Sequence, residues 1–310
     1  MTNMKRKKVL VSGSSGFLGS HIADTLDDAG YKVTLFDLTP SYYKRRTQNE
    51  IIGDILNYED VFNAVDCHDF VYHFAAQADI ESSADDPVKT INENIIGTQN
   101  FLEASLKHNV KRILFASTIY VYSELGSFYR VSKQASEKII EEYYKEFGLN
   151  YTVLRYGSIY GPRANYFNSI TSMLIQALRD KKIFRRGDGE EIREYIHVKD
   201  AAKLSVEALE NYYQNKHLII TGNQKIKVKD LLTMIKEIFQ NTIEVKYGKE
   251  DELHHYEITP YAFKPQIAQK LTPKTHYDLG QGLLDLIYDI NNKLENENKP
   301  FNVSLRKRKK

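Results

Sequence analysis

The sequence predicts an α/β fold, a doubly wound parallel sheet with a smaller, interleaved C-terminal domain. Short apolar segments alternate with helical patterns along the chain, as expected of a parallel sheet covered on both faces. The first apolar segment, residues 9–11, leads through three regularly spaced glycines into a helical pattern, which is typical of such folds. No internal repeat and no Pro- or Ser-rich linker separates the two halves, so we expect the second half to interleave with the first.

Taken in order, the apolar segments predict strands and the amphipathic segments predict helices. In the first half, strands are expected at residues 9–11, 32–37, 50–54, 70–74, 112–116 and 151–156. Helices are expected at about 17–29, 60–64, 92–108 and 129–147, with Gly30 and Gly148 as helix stops. The second half alternates in the same way, with strands at residues 193–198, 218–220 and 242–247 and helices at 169–178, 200–210, 228–239 and 282–294.

Composition and charge exclude several classes of protein. The chain has 310 residues, 42% of them hydrophobic, and is long enough for a substantial core. Without the basic tail at residues 306–310, 38 basic residues face 41 acidic ones, so the body is not a nucleic-acid-binding surface. Cys67 is the single cysteine, which excludes an intrachain disulfide. No apolar run reaches membrane-spanning length, and we expect a soluble cytoplasmic protein that binds neither nucleic acid nor membrane.

The three glycines belong to the stretch Gly13-Ser14-Ser15-Gly16-Phe17-Leu18-Gly19, between a predicted strand and a predicted helix. In a dinucleotide site the first glycine permits the tight turn, the second lets the backbone approach the pyrophosphate, and the third lets the helix pack close to the strand. Asp37 ends the next predicted strand, where an acidic side chain holds the adenosine ribose. Together these features favour a dinucleotide site over a merely flexible turn.

A second group of residues follows the strand predicted at 112–116. Ser117 and Thr118 stand at its carboxyl end, the edge at which open α/β sheets bind ligands. Tyr129 and Lys133 are four residues apart and therefore share one face of the next helix. An ordinary surface pair is the alternative, but the position after the Ser-Thr strand end favours a functional pair. His73 is expected to be a core histidine, because no second metal-type residue stands at ligand spacing.

These motifs, in this order, resemble the extended short-chain dehydrogenase/reductase family, in its nucleotide-sugar epimerase and dehydratase group. Residues 94–100 (Asn-Ile-Ile-Gly-Thr-Gln-Asn), 154–163 and 187–200 resemble the same family. The resemblance implies a Rossmann-type NAD-binding domain at residues 5–160, completed by about 190–220, a substrate-binding portion at 161–189 and 221–303, and a basic tail at 304–310. It also implies a homodimer formed through helices 92–108 and 131–147, and a role in polysaccharide biosynthesis.

The resemblance further implies a role for each matching residue. The catalytic residues would be Tyr129, Lys133 and Thr118. The cofactor NAD, favoured over NADP by Asp37, would be bound by Gly13, Ser15, Gly16, Phe17, Leu18, Gly19, Asp37, Asp54, Ile55, Ala75, Ala76, Gln77, Asn94, Lys133 and Tyr156. The nucleotide-sugar substrate would be bound by Ser117, Thr118, Tyr129, Ser158, Arg163 and Arg193, and no metal is implied. For Arg193, a salt bridge with Glu190, Glu191 or Glu194 is the alternative.

The chemistry explains why these residue types suit the site. Removing hydride from a sugar carbon requires loss of the adjacent hydroxyl proton, and a phenol with a pKa of about 10 is a poor base at pH 7. Lowering that pKa to about 7 corresponds to about 4 kcal/mol, which the Lys133 ammonium and the positive nicotinamide ring can supply. Thr118 would hydrogen-bond the same sugar oxygen, and NAD would carry the hydride.

Three departures from the family pattern bear on the reaction. Ile119-Tyr120 follow Thr118 where dehydratases carry a carboxylate, which disfavours a 4,6-dehydratase or a glutamate-dependent decarboxylase. Only ten residues separate Thr118 from Tyr129, fewer than in relatives, and Ser158 replaces a frequent Asn. We therefore predict an epimerase, a sugar-nucleotide isomerase acting at C4 of a nucleoside-diphosphate hexose through a transient keto intermediate. An NAD(P)-dependent reductase or dehydrogenase is the alternative, and a non-catalytic NAD-binding protein is the third hypothesis.

Overall fold

The computed structural model describes residues 6–248, 269–271, 273 and 275–297. Its strands are β1 (Lys8–Ser12), β2 (Lys32–Asp37), β3 (Asn49–Ile52), β4 (Phe70–His73), β5 (Arg112–Thr118), β6 (Tyr151–Tyr156), β7 (Ser158–Tyr160), β8 (Lys182–Arg185), β9 (Ile192–His197), β10 (Lys216–Ile220), β11 (Lys225–Lys227), β12 (Glu244–Tyr247) and β13 (Gln269–Leu271). Its α-helices are α1 (Phe17–Asp28), α2 (Tyr58–Val65), α3 (Ile80–Asp85), α4 (Pro87–Ile91), α5 (Gly97–Lys107), α6 (Ser127–Phe147), α7 (Ser169–Asp180), α8 (Val198–Glu207), α9 (Val228–Ile238) and α10 (Leu279–Glu297).

Eight of these strands form one parallel sheet, in the order β13-β10-β6-β5-β4-β1-β2-β3. The chain runs outward from β1 to β3 and then crosses back to β4, so the strand order reverses between β1 and β4. This reversal confirms the doubly wound α/β fold. It also places a crevice outside the carboxyl ends of β1 and β4, where such sheets bind ligands.

Helices cover both faces of the large sheet. In β1, Val9 and Val11 face an apolar cluster with α1 and α8, whereas Leu10 faces a second cluster with α2, α5 and α6. Successive side chains of a strand point to opposite faces, so a strand buried on both sides reads as one apolar run. This explains why the central strands were predictable from the sequence.

Much of the chain after β6 forms a smaller portion. This portion packs around a third apolar cluster, which includes Tyr160, Met173, Leu231 and Leu283. It contains the three-stranded sheet β11-β9-β7 and the two-stranded sheet β12-β8. The domain division stays a prediction, and the structure differs from it at one point. The strand β13 lies within residues 221–303 but pairs with β10 and forms an edge of the large sheet. The predicted basic tail at 304–310 lies outside the described residues.

Two differences from the predicted elements affect the site. The helix predicted at residues 92–108 begins as a π-helical turn, Asn92–Ile96, and continues as α5. The short helices α3 and α4 were not predicted; they begin at the caps Asp79 and Asp86, whose side chains accept hydrogen bonds from backbone N–H groups. Both differences lie between β4 and α5, beside the carboxyl edge of the sheet.

Candidate active site

The glycine stretch forms the turn between β1 and α1, at the point where the strand order reverses. Gly13 has a φ of +68°, and a Cβ there would lie 2.6 Å from the amide nitrogen of Ala75. A Cβ on Gly19 would lie 2.1 Å from the Gly13 carbonyl oxygen, so α1 packs directly on the turn. Gly16 is the N-cap of α1, and the N–H groups of a first helical turn lack intrahelical partners. The turn therefore fits an anion such as a pyrophosphate.

Asp37 ends β2 beside this turn. Its Oδ2 atom accepts a hydrogen bond from the backbone N–H of Ser15 at 2.9 Å. In the loop that follows, the Arg45 guanidinium pairs with Asp24 at 2.9 Å and with Asp28 at 2.5 Å. Since Asp24 and Asp28 belong to α1, this arginine is held against the helix. The acidic side chain at the strand end suits the hydroxyl groups of an adenosine ribose.

The predicted adenine-side residues line the same region. Asp54 is partly buried, and Ile55, which is buried, packs so closely on α5 that a Cβ on Gly97 would lie 2.8 Å from its Cδ1. Phe17 and Leu18 begin α1, and Leu18 packs against the apolar cluster on that face. Their roles in cofactor binding stay predictions.

A buried chain of hydrogen bonds fixes the ends of β1 and β4. The Ser12 hydroxyl oxygen accepts the N–H groups of Phe74 and Ala75 at 3.1 and 3.2 Å and lies 2.9 Å from Nδ1 of His73. The hydroxyl therefore donates to Nδ1, and Nε2 of His73 donates to Thr98 at 3.1 Å. Burial lowers the pKa of His73 to about 3, which keeps the ring neutral. The prediction of a core histidine is confirmed.

Asn94 lies in the π-helical turn and is 1% exposed. Its Oδ1 accepts the N–H of Gln77 at 2.8 Å, and its Nδ2 donates to the Gln77 carbonyl at 3.0 Å and to Ser132 Oγ at 2.9 Å. Ser132 Oγ in turn donates to the carbonyl of Tyr129 at 2.8 Å. One side chain thus ties the segment that carries Ala76 to the first turn of α6. A π-turn often marks such a functional position.

Thr118, Tyr129 and Lys133 meet at the carboxyl end of β5. The Thr118 hydroxyl accepts the backbone N–H of Tyr120 at 3.2 Å, and it lies close enough to the Tyr129 phenol to oppose the rise in the pKa of that phenol. The Lys133 ammonium donates to the Ala116 carbonyl at 2.8 Å and lies 4.6 Å from the centre of the Phe115 ring. Thr118 and Lys133 are buried, and Tyr129 is partly buried. The structure therefore brings together the three residues predicted to be catalytic.

Burial shifts both titratable groups towards their neutral forms. It raises the pKa of Tyr129 to about 12, and the nearby Thr118 hydroxyl opposes that shift. It lowers the pKa of Lys133 to about 7, and the negative charge of Glu137 opposes that shift. Near pH 7 the phenol is therefore protonated, and the Lys133 ammonium loses its proton more readily than an exposed lysine does. Ionising the phenol requires positive charge to be placed close to it.

The ten-residue connection between Thr118 and Tyr129 is held by α6 itself. Residues 119–122 form a 3₁₀ turn. Gln134 and Arg130, both on α6, donate to the backbone carbonyls of residues 121 and 123, each at 2.9 Å. Gly126 then turns the chain into the helix with a φ of +104°. The helix that carries the phenol therefore holds the first half of the short connection, at residues 121 and 123.

Three more of the residues predicted to bind substrate or cofactor lie on β5, β6 and β7. The Ser117 hydroxyl donates to Glu137 Oε1 at 2.5 Å. The Tyr156 hydroxyl lies 2.6 Å from Ser205 Oγ, between the sheet and α8. Ser158 begins β7 and is partly buried. The roles of these residues in binding stay predictions, and the contacts of Ser117 and Tyr156 do not support them.

The two predicted arginines lie in different surroundings. The Arg163 guanidinium pairs with Asp24 of α1 at 2.9 Å and lies 4.3 Å from the centre of the Tyr43 ring. Arg193 lies on β9, is 8% exposed and donates to the Ile192 carbonyl at 3.2 Å. The glutamates proposed as alternative partners of Arg193 contact other side chains: Glu190 contacts Lys227 and Lys229, Glu191 contacts Arg185, and Glu194 contacts Lys270 and Thr221.

Two further residues next to the catalytic group were not predicted. Ser83 of α3 is buried, and its hydroxyl accepts the backbone N–H of Tyr129 at 3.2 Å. Glu137 is buried one helical turn after Lys133. The cap Asp79 could have revealed α3 in the sequence. The spacing of Glu137 from Lys133 was also visible, but its burial depends on strands far away in the chain.

Two other kinds of site were sought in the part of the chain that the structure describes. No cluster of three or more His, Cys, Asp or Glu side chains there is arranged to hold a metal ion. None of its helices combines the length and apolar character needed to cross a bilayer.

Comparison with known proteins finds sugar-nucleotide enzymes that are similar to most of the chain. The chain is 28% identical over 291 residues to the UDP-N-acetyl-alpha-D-glucosaminuronate decarboxylase of Bacillus cytotoxicus, covering 84% of this chain and 87% of the relative. It is similar to the crystal structure of UDP-glucose 4-epimerase from Thermotoga maritima with UDP-glucose, at a TM-score of 0.82 and 26% identity, covering 93% of this chain and 99% of that one.

A second similar structure contains both a sugar nucleotide and NAD. It is a mutant of the UDP-glucuronic acid 4-epimerase of Bacillus cereus in complex with UDP-4-deoxy-4-fluoro-glucuronic acid and NAD. Its TM-score is 0.81 at 25% identity, covering 92% of this chain and 99% of that chain. The sequence profile of one family matches residues 9–221, a span that runs from β1 through the catalytic group to the end of β10. The chain belongs to the NAD dependent epimerase/dehydratase family.

Proposed function

We propose that this chain is an NAD-dependent UDP-sugar epimerase that inverts C4 of a hexose through a transient 4-keto intermediate. The observation that carries the proposal is that Thr118, at the carboxyl end of β5, lies beside Tyr129 of α6, with Lys133 one helical turn beyond. These residues lie at the same edge of the sheet as the glycine turn. A sugar oxygen between Thr118 and Tyr129 would therefore lie near a dinucleotide held by that turn. The similar structures of UDP-sugar 4-epimerases favour the same reaction.

The residues present fit NAD. The turn from Gly13 to Gly19 would hold the pyrophosphate, Asp37 the adenosine ribose and Lys133 the nicotinamide ribose. When bound, NAD accepts a hydride from the sugar carbon and returns it, so it is regenerated in each cycle. The positive nicotinamide would also add charge beside Tyr129, where the buried phenol needs it.

Tyr129 would act first as base and then as acid. In the ionised form it takes the proton of the C4 hydroxyl while hydride leaves the same carbon, which yields a planar ketone. Thr118 would donate a hydrogen bond to the ketone oxygen and hold it in place. The protonated Tyr129 then returns its proton to that oxygen as hydride comes back to the opposite face. Lys133 lies one turn away on α6, and its ammonium would stabilise the phenolate.

The surroundings of Thr118 favour epimerisation over elimination or decarboxylation. Ile119 is 1% exposed and packs with Tyr122 and Ile219 in an apolar cluster. Tyr120 follows and lies against the turn at Gly126, where a Cβ would come within 2.7 Å of its ring. Neither residue is a carboxylate that could remove a second proton. This distinction matters because the family relatives include a decarboxylase.

We propose that the enzyme works as a cytoplasmic homodimer in polysaccharide biosynthesis. The helices α4 and α6 and the π-helical turn carry apolar side chains that are at least 40% exposed: Val88, Ile91, Ile96, Phe128 and Val131. Covering such a surface would stabilise a pair of subunits, because apolar patches on a protein surface often mark interfaces. Sedimentation of the purified chain distinguishes a dimer from a monomer.

The first test is to denature the purified protein and quantify the released dinucleotide. We expect close to one NAD per chain, because an epimerase regenerates its cofactor. The protein is then given UDP-glucose, UDP-N-acetylglucosamine or UDP-glucuronic acid, each carrying deuterium at C4. An epimerase returns the same hydride, so the product keeps the deuterium at C4 and gains none from labelled water.

Each other outcome contradicts the proposal. Stoichiometric consumption of added NADH or NAD would identify a reductase or dehydrogenase, and release of CO₂ from UDP-glucuronic acid would identify a decarboxylase. Bound NAD with no turnover on any sugar would point to a binding protein. A Tyr129→Phe variant must lose turnover, whereas Tyr212→Phe, an exposed residue outside the site, must keep it.

A further inference from the structure

Glu137 is buried behind the catalytic group, and both of its carboxylate oxygens are bound. Oε1 accepts hydrogen bonds from Ser117 Oγ at 2.5 Å and Arg155 Nε at 3.0 Å, and Oε2 accepts from Arg155 Nη2 at 2.6 Å. Nδ1 of His217 lies 3.5 Å from Oε2. Burial alone would raise the pKa of Glu137, but the nearby His217 and the hydrogen bonds from Arg155 lower it to about 2. The carboxylate is therefore ionised at neutral pH.

The sheet register explains how distant parts of the chain reach this carboxylate. Ser117 of β5 pairs with Arg155 of β6, and Arg155 pairs with Ile219 of β10. His217 lies two residues before Ile219, so its side chain is on the same face. Glu137, on α6, thus contacts three adjacent strands through one carboxylate.

Glu137 and Lys133 hold consecutive residues of β5. Lys133 donates to the carbonyl of Ala116, and Glu137 accepts from the hydroxyl of Ser117. The next residue is Thr118, which contacts Tyr129. Two side chains one helical turn apart therefore fix the strand end that presents Thr118, and they fix it to the helix that presents Tyr129.

Stability alone does not explain a charged pair at this place. Removing two charges from water is costly, and apolar residues of similar size often stabilise a fold equally well. The Glu137 and Arg155 side chains are each 4% exposed. Lys133 is also buried, and the charge of Glu137 favours its ammonium form. The carboxylate thus has two effects on the catalytic group: it fixes the position of the strand end, and it supplies negative charge near the lysine.

We propose that Glu137 is a positioning residue for the reaction, which holds the end of β5 through Ser117 and keeps Lys133 in its ammonium form. The reaction itself rests on the proposed function, whereas the charge of Lys133 can be tested without a sugar. The charged and titratable groups around the two side chains, on every element that packs there, are His73, Tyr122, Tyr129, Glu141, Tyr151, Arg155 and His217.

The positioning role is tested with Ser117→Ala, a small change that leaves every charge in place. We expect kcat to fall about tenfold while KM for the sugar nucleotide stays unchanged, because Ser117 acts on Thr118 and not on the sugar. An unchanged kcat would overturn the positioning role. A higher KM with unchanged kcat would assign Ser117 to substrate binding and overturn it too.

The charge role is tested through the affinity for NADH, measured by fluorescence from pH 5 to 10. Glu137→Gln alone leaves Arg155 buried without a carboxylate, so the variant is the pair Glu137→Gln with Arg155→Gln. The alkaline midpoint is the pH at which half of the NADH affinity is lost as the pH rises. A midpoint that belongs to Lys133 should disappear in Lys133→Met. The matched control is Arg112→Gln. Arg112 is also a buried arginine, but it lies at the start of β5, at the opposite end of that strand from Ser117 and Thr118.

We expect the alkaline midpoint of NADH binding to move down by about one pH unit in the paired variant and to stay unchanged in the control. A folded paired variant with the wild-type midpoint would overturn the charge role. If the paired variant does not fold, or if the wild type has no alkaline midpoint, Ser117→Ala decides the proposal. Because NADH binding needs no sugar, a failure of the epimerase assignment would show only in turnover, and the charge of Lys133 would still be measured.

Discussion

Gly19→Ala should abolish tight NAD binding while leaving the chain folded. A Cβ at residue 19 would lie 2.1 Å from the Gly13 carbonyl oxygen and 2.8 Å from its carbon. Restoring ordinary contact requires the turn or α1 to move by about 1 Å, as overpacked sites do at a cost of about 1–3 kcal/mol. The same shift stretches the hydrogen bond from Gly16 N–H to the Gly13 carbonyl, now 3.2 Å long. If this cost destabilises the NAD complex by about 3 kcal/mol relative to the free protein, the affinity for NAD drops about 100-fold.

The assay is calorimetric titration of NAD into cofactor-free protein, together with a thermal melt. The matched control is Gly30→Ala at the other end of α1. Gly30 has a φ of +85°, but a Cβ there meets nothing within 4 Å. The control should therefore lose about 1 kcal/mol of stability from backbone strain and bind NAD normally. Normal NAD affinity in Gly19→Ala would refute the assignment of this turn to the pyrophosphate.

Three further predictions follow from the site. Tyr129→Phe should lower turnover by about 10²–10⁴-fold and keep the bound NAD, as measured by a coupled assay and by dinucleotide release; retained turnover would remove Tyr129 from the reaction. Burial lowers the pKa of Lys133 to about 7, so its ammonium is present below that pH, and NADH affinity should fall as pH rises through 7–8 in fluorescence titrations. Arg163→Ala should cost no more than about 1 kcal/mol in urea unfolding and leave KM unchanged, because Arg163 pairs with Asp24; a raised KM would assign Arg163 to the substrate.

Acid should destabilise the fold through Glu137. The pKa of this carboxyl is lowered in the folded chain to about 2, so its stabilisation is present above the unfolded value of about 4.3 and is lost as pH falls towards 2. The full effect is on the order of 3 kcal/mol. Urea unfolding at pH 6 and pH 3 should show a smaller loss of stability in Glu137→Gln with Arg155→Gln than in the wild type. An equal loss in both proteins would contradict the assigned shift.

Most of the central fold could be predicted because its signals are local. Strands buried on both faces read as continuous apolar runs, and the glycine turn marks the first strand-to-helix junction. The strand β13 could not be predicted, since three residues, Gln269–Leu271, are too short to show a period. The π-helical turn could not be predicted either, because Asn92–Ile96 carries the same apolar spacing as an α-helix.

The site likewise has one part that local sequence features predict and another part that they do not. Thr118, Tyr129 and Lys133 could be found because they lie at a strand end and on one helix face, which are local features of the sequence. The contacts of Glu137 with Arg155 and His217 could not be, because these residues meet only through the register of β5, β6 and β10. The pairing of Arg163 with Asp24 joins residues 139 positions apart, and nothing in the local sequence indicates it.

The short connection before Tyr129 changes where specificity must arise. Because α6 fixes that connection through Gln134 and Arg130, its conformation is set by contacts within the protein. The positions of Thr118 and Tyr129 are likewise set by contacts within the protein, among them that of Tyr129 with Ser83 of α3, so we expect them to be the same for any sugar whose C4 oxygen reaches them. We therefore propose that discrimination among sugar nucleotides depends on the smaller portion, to which Arg193 of β9 belongs. Substitutions in the smaller portion should for this reason change which substrate is used without changing the chemistry that we propose for it.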